Sequence, residues 1–249
     1  MLLVLTFFSA IVGTLVGAFA GGGASLVLFP LLLLVTKGSY ASILAITKAG
    51  TTVMTLASGK IHLKRHAFDW HFFYLIFASA LIGTGIGTYF LQFQFNRELF
   101  DYLLGGILIV MAVYLLFSRK LGLSDDRARP LTHNMKILFF VYGVIVNILN
   151  GIFGGGGLYI TIFLVGFLRF SFIRAIAYVM SVYALVNIVQ TSYLLFTEPV
   201  DWVVLIIVVV GGVIGGTLGT HLQYLNGNAW VKRIAVVMMI AVGVKVLIG

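Results

Sequence analysis

Long apolar runs, bounded by charged or turn residues, account for most of the chain. Six of them have the length of a transmembrane helix, about 20 residues. They are residues 41–59, 69–91, 101–117, 172–195, 202–222 and 231–248. Two longer runs, 2–35 and 137–168, are each interrupted in the middle by consecutive glycines. The pattern predicts an all-α membrane protein with short connecting loops.

The two glycine tracts, Gly21–Gly23 and Gly154–Gly157, predict breaks in the helices that contain them. Each glycine in a helix interior costs about 1 kcal/mol, so several in succession end a helix. We expect short helices to resume at about 24–35 and 158–168. Non-helical backbone at this depth is tolerated only inside protein or beside a water-filled cavity. Each interrupted run is therefore either one kinked crossing or a hairpin that returns to its own side.

Composition confirms a membrane setting and removes several classes of function. The chain is 61% apolar and 9% charged, whereas a soluble domain is about 25% charged. Cysteine is absent, which excludes disulfides, thiolate catalysis and most zinc or iron–sulfur sites. The net charge of +9 fits basic cytoplasmic loops, and we expect no nucleic-acid partner.

The distribution of Lys and Arg favours hairpins over kinked crossings. If both interrupted runs are hairpins, twelve Lys and Arg residues fall on one side and three on the other, with Lys48 inside a span. With single crossings the split is only nine to six. Because positive residues concentrate in the cytoplasm, we expect a multi-pass protein of the cytoplasmic (inner) membrane with both termini outside the cytoplasm.

Three segments of the first half recur, in order, in the second half at offsets of 132 to 134 residues. They are Phe19–Gly23 and Phe153–Gly157, Asp69–Trp70 and Asp201–Trp202, and the Ile-Gly-x-x-x-Gly-Thr motifs at 82–88 and 214–220. The sequence predicts two homologous transmembrane halves, 1–117 and 136–249, joined by a cytoplasmic linker, 118–135. Since Ala18-Phe19-Ala20 belongs to a repeated segment and no Lys or Arg precedes it, we expect a retained helix there rather than a signal peptide.

Each half would contain one glycine-broken helical hairpin and three transmembrane helices, so the second half would be inverted relative to the first. Inverted repeats are typical of secondary transporters, whose sites lie where discontinuous helices meet near the bilayer midplane. We therefore expect the two hairpin tips to meet there. Exchange of conformation between related halves would provide alternating access.

A helix start after a glycine tract exposes N–H groups and about half a positive charge, and glycines let an anion approach the backbone. The tip residues are therefore candidate substrate contacts. They are Gly21, Gly22, Gly23, Ala24 and Ser25 in the first tip, and Gly154, Gly155, Gly156 and Gly157 in the second. The alternative is close helix packing, but packing motifs usually space small residues every fourth position.

Polar residues inside the apolar runs complete the candidate site. Lys48 is a cation deep within a span, and such residues are usually functional. It either attracts an anion, snorkels to the membrane surface or caps a helix. Thr51, Asn147, Asn150 and Ser181 are further candidate contacts, and interhelical hydrogen bonding is the alternative for each of them.

Other motifs indicate structural roles. Gly83 and Gly87, like the glycines at 211, 215 and 219, have the four-residue spacing of close helix contacts. Trp70 and Trp202 each follow an aspartate, as expected for an interfacial anchor after an N-cap.

Catalytic and metal chemistry are not predicted. His62 and His66 lie four residues apart in what reads as a short Lys/Arg-rich loop, without a third ligand, so we expect no metal site. No Ser-His-Asp arrangement is present. We expect neither an enzyme nor a cofactor.

The glycine tract after the first apolar run, Phe29-Pro30-Leu31 behind it, Asp-Trp opening a later span and the second glycine tract together resemble the sulfite exporter TauE/SafE family. The resemblance covers nearly the whole chain. It implies an inverted-repeat carrier that moves sulfite, sulfonates or other small organic anions across the cytoplasmic membrane, usually outward, with both tips around the substrate. The chain departs from the family at Lys48, where small hydroxyl residues are common, and at Leu164, the repeat partner of Pro30.

These observations favour a secondary transporter, an exporter of a small anion such as sulfite or an organosulfonate, acting by alternating access. Two alternatives stay open: a passive anion channel built from the same hairpins, and a non-transporting membrane subunit of a partner enzyme. The expected partners are the anion and the bilayer, and protons are a candidate coupling ion.

Overall fold

A computed structural model describes residues 1–90, 97–118, 120–125 and 132–248, and over these ranges the chain folds into helices without a strand. The predicted all-α class is confirmed. The helices are α1 (Leu2–Ala20), α2 (Ala24–Val35), α3 (Tyr40–Arg65), α4 (Trp70–Phe90), α5 (Arg97–Phe117), α6 (His133–Phe153), α7 (Gly156–Gly166), α8 (Phe172–Thr197) and α9 (Trp202–Ile248).

Both predicted helix breaks are confirmed. Gly21 and Gly22 have φ values of 95° and 107°, and Gly154 and Gly155 have φ values of 83° and 82°. These left-handed conformations suit glycine because it lacks a Cβ atom. The second break is shorter than predicted, since Gly156 already begins α7. The helix after it therefore covers 156–166 instead of about 158–168.

Within the described ranges, five helical segments are long and apolar enough to cross a membrane. They are Leu2–Ala20, Trp70–Phe90, His133–Ile152, Phe172–Thr197 and Trp202–Ala241. Helix α9 has non-helical backbone at Gly227, which divides it into two segments that contain the predicted spans 202–222 and 231–248. Helix α3 contains the predicted span 41–59 and is long enough, but it is less apolar because it carries buried Lys, Thr and Ser residues.

The predicted N-caps are present. Asp69 Oδ1 accepts hydrogen bonds from the N–H groups of His71 and Phe72, at 3.0 and 3.3 Å. Asp201 Oδ1 accepts equivalent bonds from Val203 and Val204, at 2.9 and 3.2 Å. These bonds satisfy donors that a helix start leaves free, and they fix the beginnings of α4 and α9.

The glycine ridges bring helices of the two predicted halves together. Gly83 and Gly87 of α4 lie against the backbone of α6, and Gly211, Gly215 and Gly219 of α9 lie against α1. Their predicted packing role is confirmed. Helices α3 and α8 also pack against each other. Helix α1 is thus held by the first segment of α9, and α6 by α4, in each case a helix of the other predicted half.

The described part of the predicted linker is attached to the helical body. Leu121 is buried, and the Asp125 carboxylate accepts hydrogen bonds from the Ser171 N–H and hydroxyl, at 2.8 and 3.0 Å. Linker residues Arg119, Arg127 and Arg129 lie outside the described residues. The division into halves with a cytoplasmic linker stays a prediction.

We expect Gly87→Ala to destabilise the contact between α4 and α6. A Cβ atom at this position would lie 2.0 Å from the carbonyl oxygen of Ile148, and overpacking of this kind costs about 1–3 kcal/mol. Thermal unfolding of the purified protein in detergent measures the effect. Gly85→Ala is the matched control on the same helix, since no atom in the described ranges lies within 4 Å of its added Cβ. An unfolding midpoint for Gly87→Ala equal to that of the control would contradict close packing at this crossing.

Candidate functional site

A small enclosed cavity lies where the two glycine-broken tips meet helices α3 and α8. Its volume is about 10 Å³, roughly the space that one water molecule needs. The lining residues are Gly22, Ala24, Ser25, Lys48, Thr51, Met54, Thr55, Asn150, Gly155, Val179, Met180, Tyr183 and Asn187. Backbone ends, hydroxyls, amides and one ammonium group therefore converge on this space.

The two tips touch each other through their backbones. A Cβ atom built on Gly22 would lie 2.9 Å from the Cα atom of Gly157, and one built on Gly157 would lie 3.1 Å from the Cα atom of Gly22. The Thr161 hydroxyl of α7 also donates a hydrogen bond to the Gly21 carbonyl oxygen at 2.9 Å. The tips approach this closely because neither carries a side chain at the contact.

The first turns of α2 and α7 begin at the two tips. Among the described residues, the N–H groups of Ala24 and Ser25 donate to no protein acceptor, and both residues line the cavity. In the other tip, the Gly156 N–H donates to Asn150 Oδ1 at 3.0 Å. Free amide donors and the positive end of the helix dipole favour negative charge at this place.

Lys48 is buried at the second tip, with 1% of its surface exposed. Its Nζ atom lies 3.3 Å from the Asn150 carbonyl oxygen and 3.5 Å from Asn150 Oδ1. Both partners are neutral, and no carboxylate of the described chain pairs with Lys48. Snorkelling to the membrane surface is thereby excluded. Lys48 lines the cavity and also contacts a carbonyl oxygen in the last turn of α6, so the anion-attracting and the helix-capping alternatives both fit the structure.

Asn150 connects Lys48 to the second tip and to α4. Its Oδ1 atom accepts from Gly156, as above, and its Nδ2 atom donates to the Thr84 hydroxyl at 3.1 Å. The side chain is 2% exposed and held at both ends. It therefore fixes the position of its own carbonyl and carboxamide oxygens beside the ammonium group.

Helices α3 and α8 contribute side chains in the same register. Both helices follow a serine N-cap, Ser39 and Ser171. In both helices, the residues nine, twelve and sixteen positions after this serine line the cavity. They are Lys48, Thr51 and Thr55 in α3, and Met180, Tyr183 and Asn187 in α8. The Asn187 amide also contacts the Thr55 hydroxyl at 3.5 Å. The chemistry of the two helices differs, and the only cation of the cavity lining is on α3.

Seven of the predicted site residues line the cavity: Gly22, Ala24, Ser25, Lys48, Thr51, Asn150 and Gly155. The other seven lie behind it and shape it. Gly21, Gly23, Gly154, Gly156 and Gly157 pack against neighbouring residues. Asn147 donates to the Gly143 carbonyl oxygen and accepts a hydrogen bond from the Tyr183 hydroxyl. Ser181 is buried near Gly59 of α3, outside the lining.

From α8 the predicted site included Ser181, which lies outside the lining, and not the residues that form the lining. Met180, Tyr183 and Asn187 line the cavity together with Val179, and Met54 and Thr55 of α3 were also missed. The repeat offset of 132 residues carries a signal for three of them, because it pairs Lys48, Thr51 and Thr55 with these α8 positions.

The site lacks the groups that would attract a metal cation. No Asp or Glu is buried in the part of the chain that the structure describes. The same residues contain no group of three His, Cys, Asp or Glu side chains that could hold a metal ion. With one buried lysine that lacks a carboxylate partner and with free backbone donors, the arrangement suits a small anion.

Comparison with known proteins agrees with the predicted family. Residues 5–246 match the family model described as sulfite exporter TauE/SafE. A Haemophilus influenzae protein named "Probable membrane transporter protein" is 24% identical over 242 residues, which cover 95% of this chain and 91% of the relative. A Xylella fastidiosa protein with the same name is 27% identical over 238 residues, which cover 91% and 88% respectively. No solved structure gives a significant match. The match spans both tips and the helices around the cavity, and the chain therefore belongs to the sulfite exporter TauE/SafE family.

Proposed function

We propose that this multi-pass membrane protein is a secondary transporter that exports a small anion, such as sulfite or an organosulfonate, by alternating access. Family membership and the names of the two relatives support membrane transport. The cavity supports a small anionic substrate. Its donors come from two backbone breaks, and its one charged lining group is the Lys48 ammonium.

The observation that carries the proposal is that Lys48 is buried between the tips and that no carboxylate of the described chain pairs with it. A buried cation is costly unless it is paired, and the protein oxygens around Lys48 are the neutral carbonyl and carboxamide oxygens of Asn150. An anion between the tips would neutralise the charge and accept hydrogen bonds from the free amides of Ala24 and Ser25. The enclosed volume is small, so admitting a substrate requires the tips to separate.

The contacts between helices support alternating access. Interrupted helix α1 packs against α9, and interrupted helix α6 packs against α4, so each tip is carried by one predicted half and braced by the other. If the halves are inverted repeats, exchanging their conformations would open the cavity first to one side of the membrane and then to the other. In this scheme the distribution of Lys and Arg supports a location of both termini outside the cytoplasm.

Counterflow in proteoliposomes tests the proposal. Purified protein is reconstituted into vesicles loaded with unlabelled sulfite or methanesulfonate, and entry of the same labelled anion is followed. We expect saturable exchange that exceeds the signal of protein-free vesicles and that is competed by the second anion. Exchange indistinguishable from protein-free vesicles for both anions would contradict the proposed substrate class.

Electrical recording separates a carrier from a channel. Conformational cycles on the microsecond-to-millisecond scale limit a carrier to roughly 10⁴ ions per second or fewer. We expect no unitary currents in planar bilayers that contain the same protein and either anion. Resolved single-channel currents would establish a passive pore and contradict alternating access.

A further inference from the structure

A cluster of two histidines, a tyrosine and an arginine lies where the end of α3 meets α9, away from the cavity. His62 Nδ1 lies 2.7 Å from the Tyr224 hydroxyl, and the ring of His66 stacks on Tyr224 with centroids 5.9 Å apart. The Arg65 guanidinium lies 4.4 Å above the same ring. The sequence placed His62 in a basic loop, which is wrong: α3 continues to Arg65, and His62 is fully buried.

Both imidazoles have a buried nitrogen that is not satisfied. Within the described part of the chain, the Nε2 atoms of His62 and His66 have no hydrogen-bond partner, although buried polar atoms are normally paired. When Nδ1–H of His62 donates to the Tyr224 oxygen, Nε2 carries an unused lone pair. That nitrogen can take up a proton without breaking the bond to Tyr224.

The charged and titratable groups around the cluster come from every neighbouring element. Arg65 and His66 lie at the end of α3, Tyr224 on α9, Asp125 on the linker and Arg174 on α8. Burial lowers the pKa of His66, Arg174 and Arg65 add to this effect, and the Asp125 carboxylate opposes it. Arg174 Nη1 also lies 3.7 Å from Asp125 Oδ1. His66 therefore rests neutral beside the charged Arg65 and Arg174, and the Asp125 carboxylate favours a proton bound at His66.

Polar side chains lie along α3 between the cluster and the cavity. Thr55, Ser58 and His62 follow at intervals of three and four residues, so they share one face of α3. Thr55 lines the cavity, and the Ser58 hydroxyl accepts a hydrogen bond from the Thr220 hydroxyl of α9 at 2.8 Å. At the repeat offset, α8 has Asn187, Gln190 and Leu194. The polar face of α3 therefore ends in the ionisable ring of His62, whereas the matching positions of α8 end in the apolar Leu194.

We propose that His62 is a proton-binding site that couples anion movement through the cavity to a proton gradient. A proton from outside the cell enters through the open cavity and reaches Nε2 of His62 along the Ser58 and Thr55 side of α3. When the tips change conformation, it leaves by way of half-buried His66 to water on the predicted cytoplasmic side, while the anion moves outward. The inference rests on the proposed transport function and adds its coupling ion and the residue that carries it.

The test separates driven accumulation from exchange, using purified full-length protein in proteoliposomes and labelled methanesulfonate. This probe keeps a fixed negative charge, so a pH effect comes from the protein; sulfite replaces it if the wild type does not exchange methanesulfonate. A gradient of about one pH unit supports about tenfold accumulation per coupled proton. We expect His62→Gln to abolish this tenfold accumulation while counterflow stays within about twofold of the wild type.

Two further variants make the result specific. His71→Gln changes a histidine whose side chain is 97% exposed, and it should accumulate the probe like the wild type. Tyr224→Phe removes the oxygen that accepts from Nδ1 of His62, so protonation becomes less favourable. We expect its pH profile for driven uptake to move to lower pH by about one unit.

Three outcomes would overturn the inference. They are wild-type accumulation that ignores the pH gradient, normal driven accumulation by His62→Gln, and loss of counterflow in a His62→Gln protein that is folded. The last result would assign His62 to the transport path itself. Absence of wild-type counterflow for both probes would refute the proposed function and the coupling role together. A failure of coupling alone would leave wild-type counterflow intact, so the two failures can be distinguished.

Discussion

Gly22→Leu abolishes anion exchange while the protein still inserts into the membrane and folds. The backbone at Gly22 has a φ of 107°, which leucine rarely adopts. Its Cβ atom would lie 2.9 Å from the Cα atom of Gly157 and 3.0 Å from the Gly157 carbonyl carbon. Since neither backbone atom can rotate away, the tips must separate. A displacement of about 1 Å in a positioned site reduces rates by about 100-fold, and counterflow measures the loss.

A matched substitution tests whether the loss is specific to the tips. Gly106→Leu introduces the same side chain into α5, where no atom of the described residues lies within 4 Å of the added Cβ. Replacing glycine in a helix interior also favours the helix by about 1 kcal/mol, so this variant should exchange anions normally. Membrane extraction and size-exclusion profiles like the wild type would establish that both variants fold. Near-normal exchange by Gly22→Leu would show that the breaks only serve packing.

Lys48→Met removes the charge of the cavity with little change in volume, and we expect anion exchange to fall at least about 30-fold. Loss of one partner from a buried charge interaction costs about 2 kcal/mol or more, which corresponds to this factor. Methionine also occupies the matching α8 position, Met180, at the same cavity. The apparent affinity for the anion in counterflow should weaken, since the ammonium group would attract the substrate directly.

The same substitution at an exposed lysine provides the control. Lys37, in the connection between α2 and α3, is exposed, and Lys37→Met should exchange anions like the wild type. Both variants lose one positive charge, so a difference between them is due to the position of the charge at the cavity and not to the net charge of the protein. Wild-type affinity and rate in Lys48→Met would remove the charge argument for an anionic substrate.

The two glycine tracts are features of the fold that local sequence predicts. Consecutive glycines disfavour a helix whatever surrounds them, so the breaks at Gly21–Gly22 and Gly154–Gly155 were predictable to within two residues. Their surroundings had to be protein or a cavity, because lipid cannot satisfy the freed backbone groups. The first residues of α4 and α9 could be predicted from local sequence in the same way, since an aspartate caps a helix start through its own side chain.

The cavity-facing side of α3 and α8 was not predictable in this way. A helix at the surface of a soluble protein reveals its buried face through an amphipathic pattern. Helix α8 has no such pattern, since most of its span is enclosed by other helices. Tyr183 and Asn187 are therefore as buried as the packing residues beside them, and only their offset of 132 residues from Thr51 and Thr55 marks them in the sequence.

The sequence alone determined the properties that depend on near neighbours: the apolar spans, the helix breaks, the capped starts, the small-residue ridges and the family. Tertiary structure alone decided the properties that depend on distant segments. It brought Gly22 against Gly157, placed Lys48 beside Asn150 and buried His62 against Tyr224. The physical reason is that the rotation of a helix about its own axis is set by the helices packed around it, and partners a hundred or more residues away leave no periodic signal in the segment they surround.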